Sequence, residues 1–252
     1  MKVSIITACY NAARTIEDTL RSVAAQTHPE IEHIIVDGLS TDGTMAVVEH
    51  FRRSHARILS EPDRGIYDAM NKGIALSSGD IVGFLNADDV YADSTAVAAI
   101  VEAFANPEVD ACHADLVYVD GRDPSRIVRY WKSRDYEYGL FRTGWMPAHP
   151  TFFVRRRIFE KYGMFDLGYS LQSDFDLTLR FLEVHRIRSV YIPRVLTRMR
   201  TGGVTNKSIG NIIKGNLEAY RACRKNGIPV GPWFIVRKIL SRVPQFFLKP
   251  PA

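Results

Sequence analysis

Two adjacent carboxylates, Asp88 and Asp89, are the residues of this sequence best suited to chemistry. They follow the apolar segment 81–85, which we expect to be a buried strand, with Asn86 and Ala87 in between. Burial and mutual repulsion both disfavour two ionised carboxylates side by side, and a divalent cation is the usual compensation. Mg²⁺ prefers one or two protein carboxylates together with phosphate oxygens. The pair predicts a site for a cation and a diphosphate; taken alone, either acid could instead cap the next helix.

Two further polar segments follow predicted strands. In the segment 37–44, Asp37 stands at a strand end beside glycines that permit a tight turn close to a ligand. Its carboxylate could accept the imide hydrogen of uracil or a ribose hydroxyl, or it could simply belong to a turn and a helix cap. The segment 61–73 offers three side chains that could reach nucleotide or sugar hydroxyls: Asp63, Asp68 and Asn71.

A fourth candidate is Asp174, which follows Ser173 at the start of a predicted helix over 174–185. A carboxylate at a helix N-terminus can be no more than a favourable cap. Group transfer to a hydroxyl, however, needs a general base within hydrogen-bond reach of the acceptor. Asp174 is our candidate for that base.

The elements that must hold these residues alternate between strand and helix. This alternation predicts a parallel sheet, whose strands all end at one edge, so that the polar loops converge on one crevice. Thr15 is expected to cap the first helix. The predicted strands are 3–8, 31–36, 57–59 and 81–85, with helices between them that include 66–76.

The second half of the sequence is less regular. A helix over 94–105 precedes two strands, 111–119 and 126–131, which the turn Asp120-Gly121 would join as a hairpin. Beyond residue 140 the pattern predicts a short basic helix over 155–162 and a late strand over 190–192.

Length, composition and charge limit the class of protein to which these motifs belong. A chain of 252 residues, 46% hydrophobic and 24% charged, is long enough for one large α/β domain with a small appendage. Three widely spaced cysteines argue against a disulfide framework and a structural zinc site. No apolar stretch approaches about 18 residues, so neither a membrane span nor a signal peptide is predicted. The net charge of +5 would suit phosphate ligands, a membrane surface or nucleic acid equally, and decides nothing alone.

These motifs, in this order, resemble the inverting glycosyltransferases of family 2, in particular a bacterial polysaccharide-biosynthesis type. The resemblance covers residues 1–205. It is carried by the opening 3–11, by the segment 35–44, by Asn86-Ala87-Asp88-Asp89 and by Gly65-Ile66-Tyr67-Asp68-Ala69-Met70-Asn71-Lys72-Gly73. The resemblance implies the GT-A fold, an α/β architecture with a mostly parallel central sheet flanked by helices, here with a C-terminal helical tail. The donor half would span about 1–110 and the acceptor half about 111–205.

The resemblance also implies a role for each site residue. Asp88 would bind Mg²⁺ or Mn²⁺ at the diphosphate, and Asp174 would be the catalytic base of a single displacement that inverts the anomeric carbon. The donor, with a UDP-sugar favoured, would be held by Thr7, Tyr10, Asn11, Asp37, Asp63, Asn71, Asn86 and Ala87. Contacts to the diphosphate or the acceptor would come from Asp89, His149, Ser173, Arg200 and Gly202, the last two in a loop over 198–205 that closes on the diphosphate.

Two positions depart from the family pattern. The family's metal motif usually begins with Asp, where this sequence has the neutral Asn86. An acid often precedes the base, where this sequence has Ser173. We expect the mechanism to survive both departures, with metal affinity and acceptor contacts affected.

The C-terminal extension, residues 206–252, concentrates the positive charge. From Arg198 onward the chain has eleven Lys and Arg residues and a single acid, Glu218. Large apolar groups mixed with cations over 233–249 suit binding at a membrane surface, whereas a helix packed on the catalytic domain or on a second subunit would have the same pattern. With membrane binding, the enzyme would be cytoplasmic, peripheral on the inner face of the plasma membrane, and a lipid-linked or growing saccharide would be its acceptor in cell-surface polysaccharide biosynthesis.

Other classes fit the sequence less well. A sugar-phosphate nucleotidyltransferase needs a Gly-rich, Arg-containing loop after Ala8, which is absent, and a glycosidase would leave the Asp37 segment without a purpose. A Rossmann dehydrogenase would have a GxGxxG motif, which this sequence lacks. A non-catalytic sugar-nucleotide-binding protein stays open as the non-enzyme alternative. We predict no nucleic-acid partner, and the sequence leaves the oligomeric state open.

Overall fold

The computed structural model of the protein describes residues 1–52, 56–121, 123–202 and 208–250. Residues 1–110, the predicted donor half, begin with four short parallel strands. Strands β1, β2 and β4 are rich in β-branched residues, as strands buried on both faces require, whereas β3 is an edge strand and partly exposed. Their order across the sheet is β3-β2-β1-β4. The strands are β1 (Val3–Cys9), β2 (Ile31–Asp37), β3 (Arg57–Ser60) and β4 (Ile81–Phe84).

Helices connect these strands and cover the sheet. Helix α3 approaches β1 closely, because a β-carbon at Gly73 would lie 2.4 Å from Cγ2 of Ile6. Thr15 stands at the N-cap of α1 but its side chain makes no capping hydrogen bond, so the predicted cap is wrong; its hydroxyl donates to the Ala12 carbonyl oxygen instead. The helices are α1 (Ile16–Ala24), α2 (Thr44–Phe51), α3 (Ile66–Leu76) and α4 (Ala96–Ala103).

The acceptor half extends the same sheet with mixed pairing. Strand β8 lies antiparallel between β4 and β6, β9 runs parallel to β6, and β7 forms the predicted hairpin with β6. The α/β fold class is confirmed, and four of the parallel strands lie together in the donor half. The added strands are β5 (Val90–Tyr91), β6 (Ala111–Val119), β7 (Ile127–Trp131), β8 (Phe153–Arg155) and β9 (Ser189–Arg200).

Short helical segments complete the acceptor half. Two 3₁₀ turns, Leu140–Thr143 and His149–Thr151, precede β8. Helix α5 (Arg156–Tyr162) follows β8 directly. The predicted helix over 174–185 is an α-helix, α6 (Ser173–Leu179), that continues as a π-helical turn, Arg180–Val184.

The C-terminal extension packs against the acceptor half. Helix α7 (Ile209–Lys225) lies on α6 and buries Ala219, Ala222 and Cys223. Helix α8 (Phe234–Leu240) buries Phe234 and Lys238, and a 3₁₀ turn, Val243–Phe246, follows it. None of the helices among the described residues is long and apolar enough to cross a bilayer. The alternatives that the sequence left open concern 233–249, where α8 packs on the 3₁₀ turn Leu140–Thr143 and on α7, and its Phe234 belongs to the hydrophobic core.

Candidate active site

The carboxyl ends of the first three strands meet at one level of the sheet. Cys9 pairs with Asp37 across β1 and β2, and Asp37 pairs with Ser60 across β2 and β3. The segments that follow these strands therefore begin side by side, as the sequence predicted.

Asp37 anchors the loop that follows β2. Its side chain is fully buried, and its carboxylate accepts hydrogen bonds from the Ser40 hydroxyl at 2.5 Å and the Ser60 hydroxyl at 2.7 Å. The Ser40 amide donates to both carboxylate oxygens at 3.2 Å. A buried carboxylate is stable when donors satisfy it in this way. Asp37 thus fixes the position of the loop, and its oxygens are already occupied.

Tyr10 and Asp63 both lie close to Gly38 in this loop. Tyr10 is 65% exposed, and its ring lies 3.5 Å from the place where a β-carbon at Gly38 would stand. Oδ2 of Asp63 lies 2.5 Å from that place, so only glycine fits there without movement. Asn11 secures the loop by accepting the Thr41 amide at 2.9 Å. An aromatic ring and a carboxylate thus both adjoin a position that carries no side chain.

The acid pair after β4 is strongly unequal in burial. Asp88 is half-buried, whereas Asp89 is fully buried. Burial, and then the charge of Asp88, hold the pKa of the Asp89 carboxyl well above its usual range, although the Asn86 side-chain amide donates to its Oδ2 at 3.1 Å. The buried Oδ1 of Asn86 has no hydrogen-bond partner among the described residues.

These groups fit a divalent cation. The chain supplies a carboxyl pair whose second charge is disfavoured and an unpartnered amide oxygen, and hard cations prefer such oxygen ligands. Within the described part of the chain, no three His, Cys, Asp or Glu side chains are grouped closely enough to hold a metal by themselves. A cation here would complete its coordination with oxygens from a ligand, as Mg²⁺ does with phosphates.

Asp174 lies on the first turn of α6 and contacts Tyr67 of α3. The Tyr67 hydroxyl donates to its Oδ1 at 3.1 Å. The His149 ring stacks on Phe84, the last residue of β4, with centroids 5.2 Å apart. Burial lowers the pKa of His149, and the charge of Asp174 partly offsets that effect. Tyr67 therefore links α3 with Asp174.

His149 is buried and its two ring nitrogens have no hydrogen-bond partner among the described residues. An unpartnered buried imidazole is costly, because its nitrogens lose their hydrogen bonds to water. The predicted position of His149 beside an acceptor stays a prediction, and the free nitrogens agree with it.

Four of the predicted contact residues have side chains that are engaged within the protein and are not free to contact a ligand. Thr7 is fully buried and its hydroxyl is paired with Nε2 of His33 at 3.0 Å. Ala87 packs in the core with Ile16 and Leu20.

The other two of these residues bind backbone within the acceptor half. Asn71 exchanges two hydrogen bonds of 2.9 Å with the backbone of Phe165, and so ties α3 to the acceptor half. Ser173 is fully buried and donates to the Asp166 carbonyl oxygen at 2.8 Å.

The segment predicted to close over the diphosphate is strand up to Arg200. The Arg200 guanidinium pairs with Asp18 on α1, and its amide donates to Oδ1 of Asp89 at 3.3 Å. Strand β9 thus binds both α1 and the acid pair, so Arg200 is engaged within the protein rather than in a loop. Gly202 is exposed with φ of 112°, and positions 203–205 of the predicted loop lie outside the described residues.

Sequence reasoning missed one residue that holds the segment before Asp174. Glu218 on α7 is 5% exposed, and its carboxylate accepts from the amides of Leu171 and Gln172 at 2.8 and 3.0 Å. It also accepts the Ser170 amide and hydroxyl at 3.2 and 2.9 Å. The segment 170–172 leads directly into α6 and Asp174. The signal was present in the sequence, since Glu218 is the single acid of a basic extension.

Comparison with known proteins identifies the chain as a nucleotide-sugar-dependent glycosyltransferase. The family model "Glycosyl transferase family 2" matches residues 4–163, and the chain belongs to that family. A PGL/p-HBAD biosynthesis glycosyltransferase of Mycobacterium bovis is 30% identical over 207 residues, which are 81% of this chain and 78% of that protein.

Solved structures agree with this assignment. S. aureus TarS 1-349 in complex with UDP has a TM-score of 0.67 at 17% identity, covering 94% of this chain and 68% of that chain. The mannosyltransferase PcManGT from Pyrobaculum calidifontis, in complex with GDP-Man and Mn²⁺, has a TM-score of 0.64 at 20% identity, covering 95% and 73%. The GT-A fold is confirmed. The enzyme class takes the place of the nucleotidyltransferase and non-catalytic alternatives.

Proposed function

We propose that the enzyme transfers a sugar from a UDP-sugar to a saccharide hydroxyl with inversion, and that Asp174 is the general base. One observation carries this proposal. The hydroxyl of Tyr67 donates to Asp174 at 3.1 Å, so the start of α3, which follows β3 at the carboxyl edge of the parallel strands, adjoins α6. A leaving-group site and a base on neighbouring elements are what a single displacement requires.

The reaction would proceed in one step. The acceptor hydroxyl passes its proton to a carboxylate oxygen of Asp174 while its oxygen attacks the anomeric carbon from the side opposite the nucleotide. The bond between that carbon and the diphosphate oxygen breaks, and the electron pair stays on the diphosphate. Attack from the opposite side inverts the anomeric configuration. Tyr67 orients the base through its hydrogen bond of 3.1 Å.

Asp88, with Asn86 and Asp89 beside it, would hold a divalent cation. A bound Mg²⁺ or Mn²⁺ would neutralise the negative charge that develops on the departing diphosphate. PcManGT supports this assignment, since its structure contains Mn²⁺. The charge that a cation adds also suits Asp89, whose ionisation is disfavoured by burial and by Asp88.

Tyr10 and Asp63, which lie beside Gly38, would contact the nucleoside directly. Asp37, Asn11 and Thr7 would contribute indirectly, because their hydrogen bonds fix the loop and the strand end. The donor is proposed to be a UDP-sugar, supported by the UDP held by TarS; the GDP-Man held by PcManGT makes GDP donors the natural comparison.

A donor panel tests the proposal. UDP-glucose, UDP-galactose, UDP-N-acetylglucosamine and GDP-mannose are each incubated with the enzyme, with Mg²⁺, Mn²⁺ or EDTA, and released nucleoside diphosphate is measured. We expect release from a UDP-sugar that stops in EDTA and returns when the metal is restored. Failure of every donor with both metals would contradict the proposal.

The acceptor is proposed to be lipid-linked or growing saccharide of a cell-surface polysaccharide, reached from the inner face of the plasma membrane. Support comes from the tail surface, which we define as Trp233, Leu240, Phe246, Phe247 and Leu248. These side chains are 70%, 60%, 60%, 81% and 47% exposed, in a segment otherwise rich in cations. Apolar groups flanked by Lys and Arg bind the interface of an anionic bilayer.

Vesicle sedimentation tests this membrane contact. Because α8 also buries Phe234 and Lys238, truncation would uncover the core, and substitution is the better design. We expect F246S/F247S to reduce binding to phosphatidylglycerol-containing vesicles at least about tenfold. I127S/L167S, which alters exposed apolar residues elsewhere, is the control. Equal sedimentation of the first variant and the wild type would refute the contact.

A further inference from the structure

A cavity of about 280 Å³ lies between the end of β7, the segment 140–146 and the C-terminal segment 241–248. The donor and metal sites described above do not use it. Its walls combine aromatic, basic and apolar side chains, among them Trp131, Ser133, Trp145, Arg242, Gln245 and Leu248. The C-terminal extension thus forms one wall of a cavity whose other walls belong to the acceptor half.

Three cationic side chains line this cavity, Lys132, Arg134 and Arg242, of which Arg134 is paired with Glu137. Arg129 and Lys238 lie outside the lining and contact Gln245 and Gly144, which belong to it. Among the described residues, no carboxylate lies within 4.0 Å of the charged groups of Arg129, Lys238 or Arg242. Arg129 donates from Nε to Oε1 of Gln245 at 2.8 Å. Lys238 donates to Oε1 of Gln172 at 2.9 Å. Both partners are neutral amides, so they leave the positive charge uncompensated.

The pKa values of Lys238 and Arg129 are both lower than usual. Burial, and then the charge of Arg242, lower the pKa of Lys238 to about 7, while Asp174 and Cys223 act in the opposite direction. Burial and Arg242 also lower the pKa of Arg129. Arg242 therefore lies near both other cations. Uncompensated buried charge is unfavourable unless an anion joins it.

A hydroxyl and an apolar rim complete the cavity. Ser133 is 6% exposed, and its Oγ is buried without a hydrogen-bond partner among the described residues, although it lines the cavity. On the outer side, Leu248 lines the cavity next to the exposed Phe246 and Phe247 of the tail surface. The site therefore offers cations and a hydroxyl inside and apolar groups at its mouth.

We propose that this cavity binds the phosphate group of an amphiphilic acceptor, with Arg242 and the Ser133 hydroxyl as its donors. Arginine and hydroxyl donors suit phosphate oxygens, and the apolar mouth suits a hydrocarbon chain. The inference rests on the proposed function, which supplies an acceptor beside Asp174. Gly144, which lines the cavity, lies against Lys238, and Nζ of Lys238 is 5.0 Å from the centre of the Phe175 ring, next to Asp174 in α6. The enzyme would thus recognise its acceptor by a phosphate next to a lipid chain.

Tryptophan fluorescence measures this binding directly. In a W233F background the remaining tryptophans are Trp131 and Trp145, which both line the cavity. Geranyl diphosphate, inorganic pyrophosphate and geraniol are titrated separately, in EDTA so that no metal recruits the diphosphate to the donor site. We expect geranyl diphosphate to bind at least about tenfold more tightly than either fragment.

Single substitutions locate the binding. We expect R242Q to weaken geranyl diphosphate about tenfold and S133A about threefold, with R237Q, on the exposed side of α8, unchanged. D88N should leave this affinity unchanged, which separates the cavity from the donor site. Equal affinity in R242Q and wild type, equal affinity for geraniol, or loss of binding in D88N would each overturn the inference. Donor turnover is read independently, so failure of the proposed function alone leaves these affinities intact.

Discussion

The donor half and the acceptor half position their carboxylates in different ways. In the donor half, Asp37 and Asp88 follow parallel strands, and neighbouring strands in register bring them to one edge. In the acceptor half, Asp174 begins a short helix whose lead-in segment 170–172 is held by Glu218, far away in the chain. The comparison suggests that nucleotide binding depends on sheet geometry, whereas base placement depends on the C-terminal extension.

The largest effect should come from the donor side. We expect D88N to lower turnover about 10³-fold, because a catalytic metal commonly contributes several kcal/mol and each 1.36 kcal/mol is about tenfold. Initial rates at saturating donor, with and without Mn²⁺, measure this loss. D80N, which alters an exposed carboxylate at the opposite end of β4, serves as the control. A D88N enzyme that keeps full metal-dependent turnover would remove Asp88 from the metal site.

The next effect tests the acceptor side. E218A leaves the buried amides around 170–172 without an acceptor, so we expect unfolding free energy to fall by about 3 kcal/mol. Urea denaturation measures this change, and E102A, on the exposed side of α4, should have little effect. At a temperature where both variants are folded, kcat should fall while the donor KM is kept. Loss of donor affinity in E218A would show that the two halves are not separable.

The free energy of unfolding should depend on pH through Lys238 of the C-terminal extension. Burial lowers the pKa of Lys238 from 10.5 to about 7, so between these values the unfolded chain binds a proton that the folded chain does not. Stability therefore rises with pH in this window, as far as this lysine is concerned. From pH 7 to pH 9, we expect the wild type to gain about 2 kcal/mol relative to K238M.

Urea denaturation at the two pH values measures that gain. K214M, which changes an exposed lysine of α7, should follow the wild type at both values. A constant difference between wild type and K238M across the window would mean that Lys238 does not titrate there.

The smallest effect concerns the orientation of the base. Y67F removes the hydrogen bond of 3.1 Å to Asp174, and we expect kcat to fall about threefold with nucleotide affinity unchanged. Steady-state kinetics at saturating acceptor measure this, with Y138F, which alters an exposed tyrosine, as the control. An unchanged kcat in Y67F would show that Asp174 is oriented by its helix alone.

The difference between the donor half and the acceptor half explains which elements could be predicted from the sequence. Apolar runs followed by Asp37 or Asp88 are local patterns, so the strands and the acid pair of the donor half were predictable. The full length of β9 was not, because long-range pairing with β6 sets it. No local pattern indicated the π-helical turn Arg180–Val184 either. Asn71 resembled a ligand-binding residue, yet its amide serves the Phe165 backbone. Side-chain partners that are distant in sequence leave no local pattern.

The lone acid Glu218 is an exception. A single carboxylate among many cations indicates a specific partner, and here the partner is the backbone before Asp174. The cations of the C-terminal extension, by contrast, could not be told apart from the sequence. Composition alone could not separate Lys238, which is buried, from the exposed lysines around it.

The central claim is that Asp174 acts as the base of a metal-dependent transfer from a nucleotide-sugar. Its most direct test combines calorimetric donor affinity with product formation in the wild type and D174N. We predict that D174N binds the donor within about twofold of the wild type but forms product about 10³-fold more slowly, since general bases contribute about 10² to 10⁴. A D174N enzyme that keeps more than about a tenth of the wild-type kcat would contradict the account, because a general base cannot be removed at so small a loss.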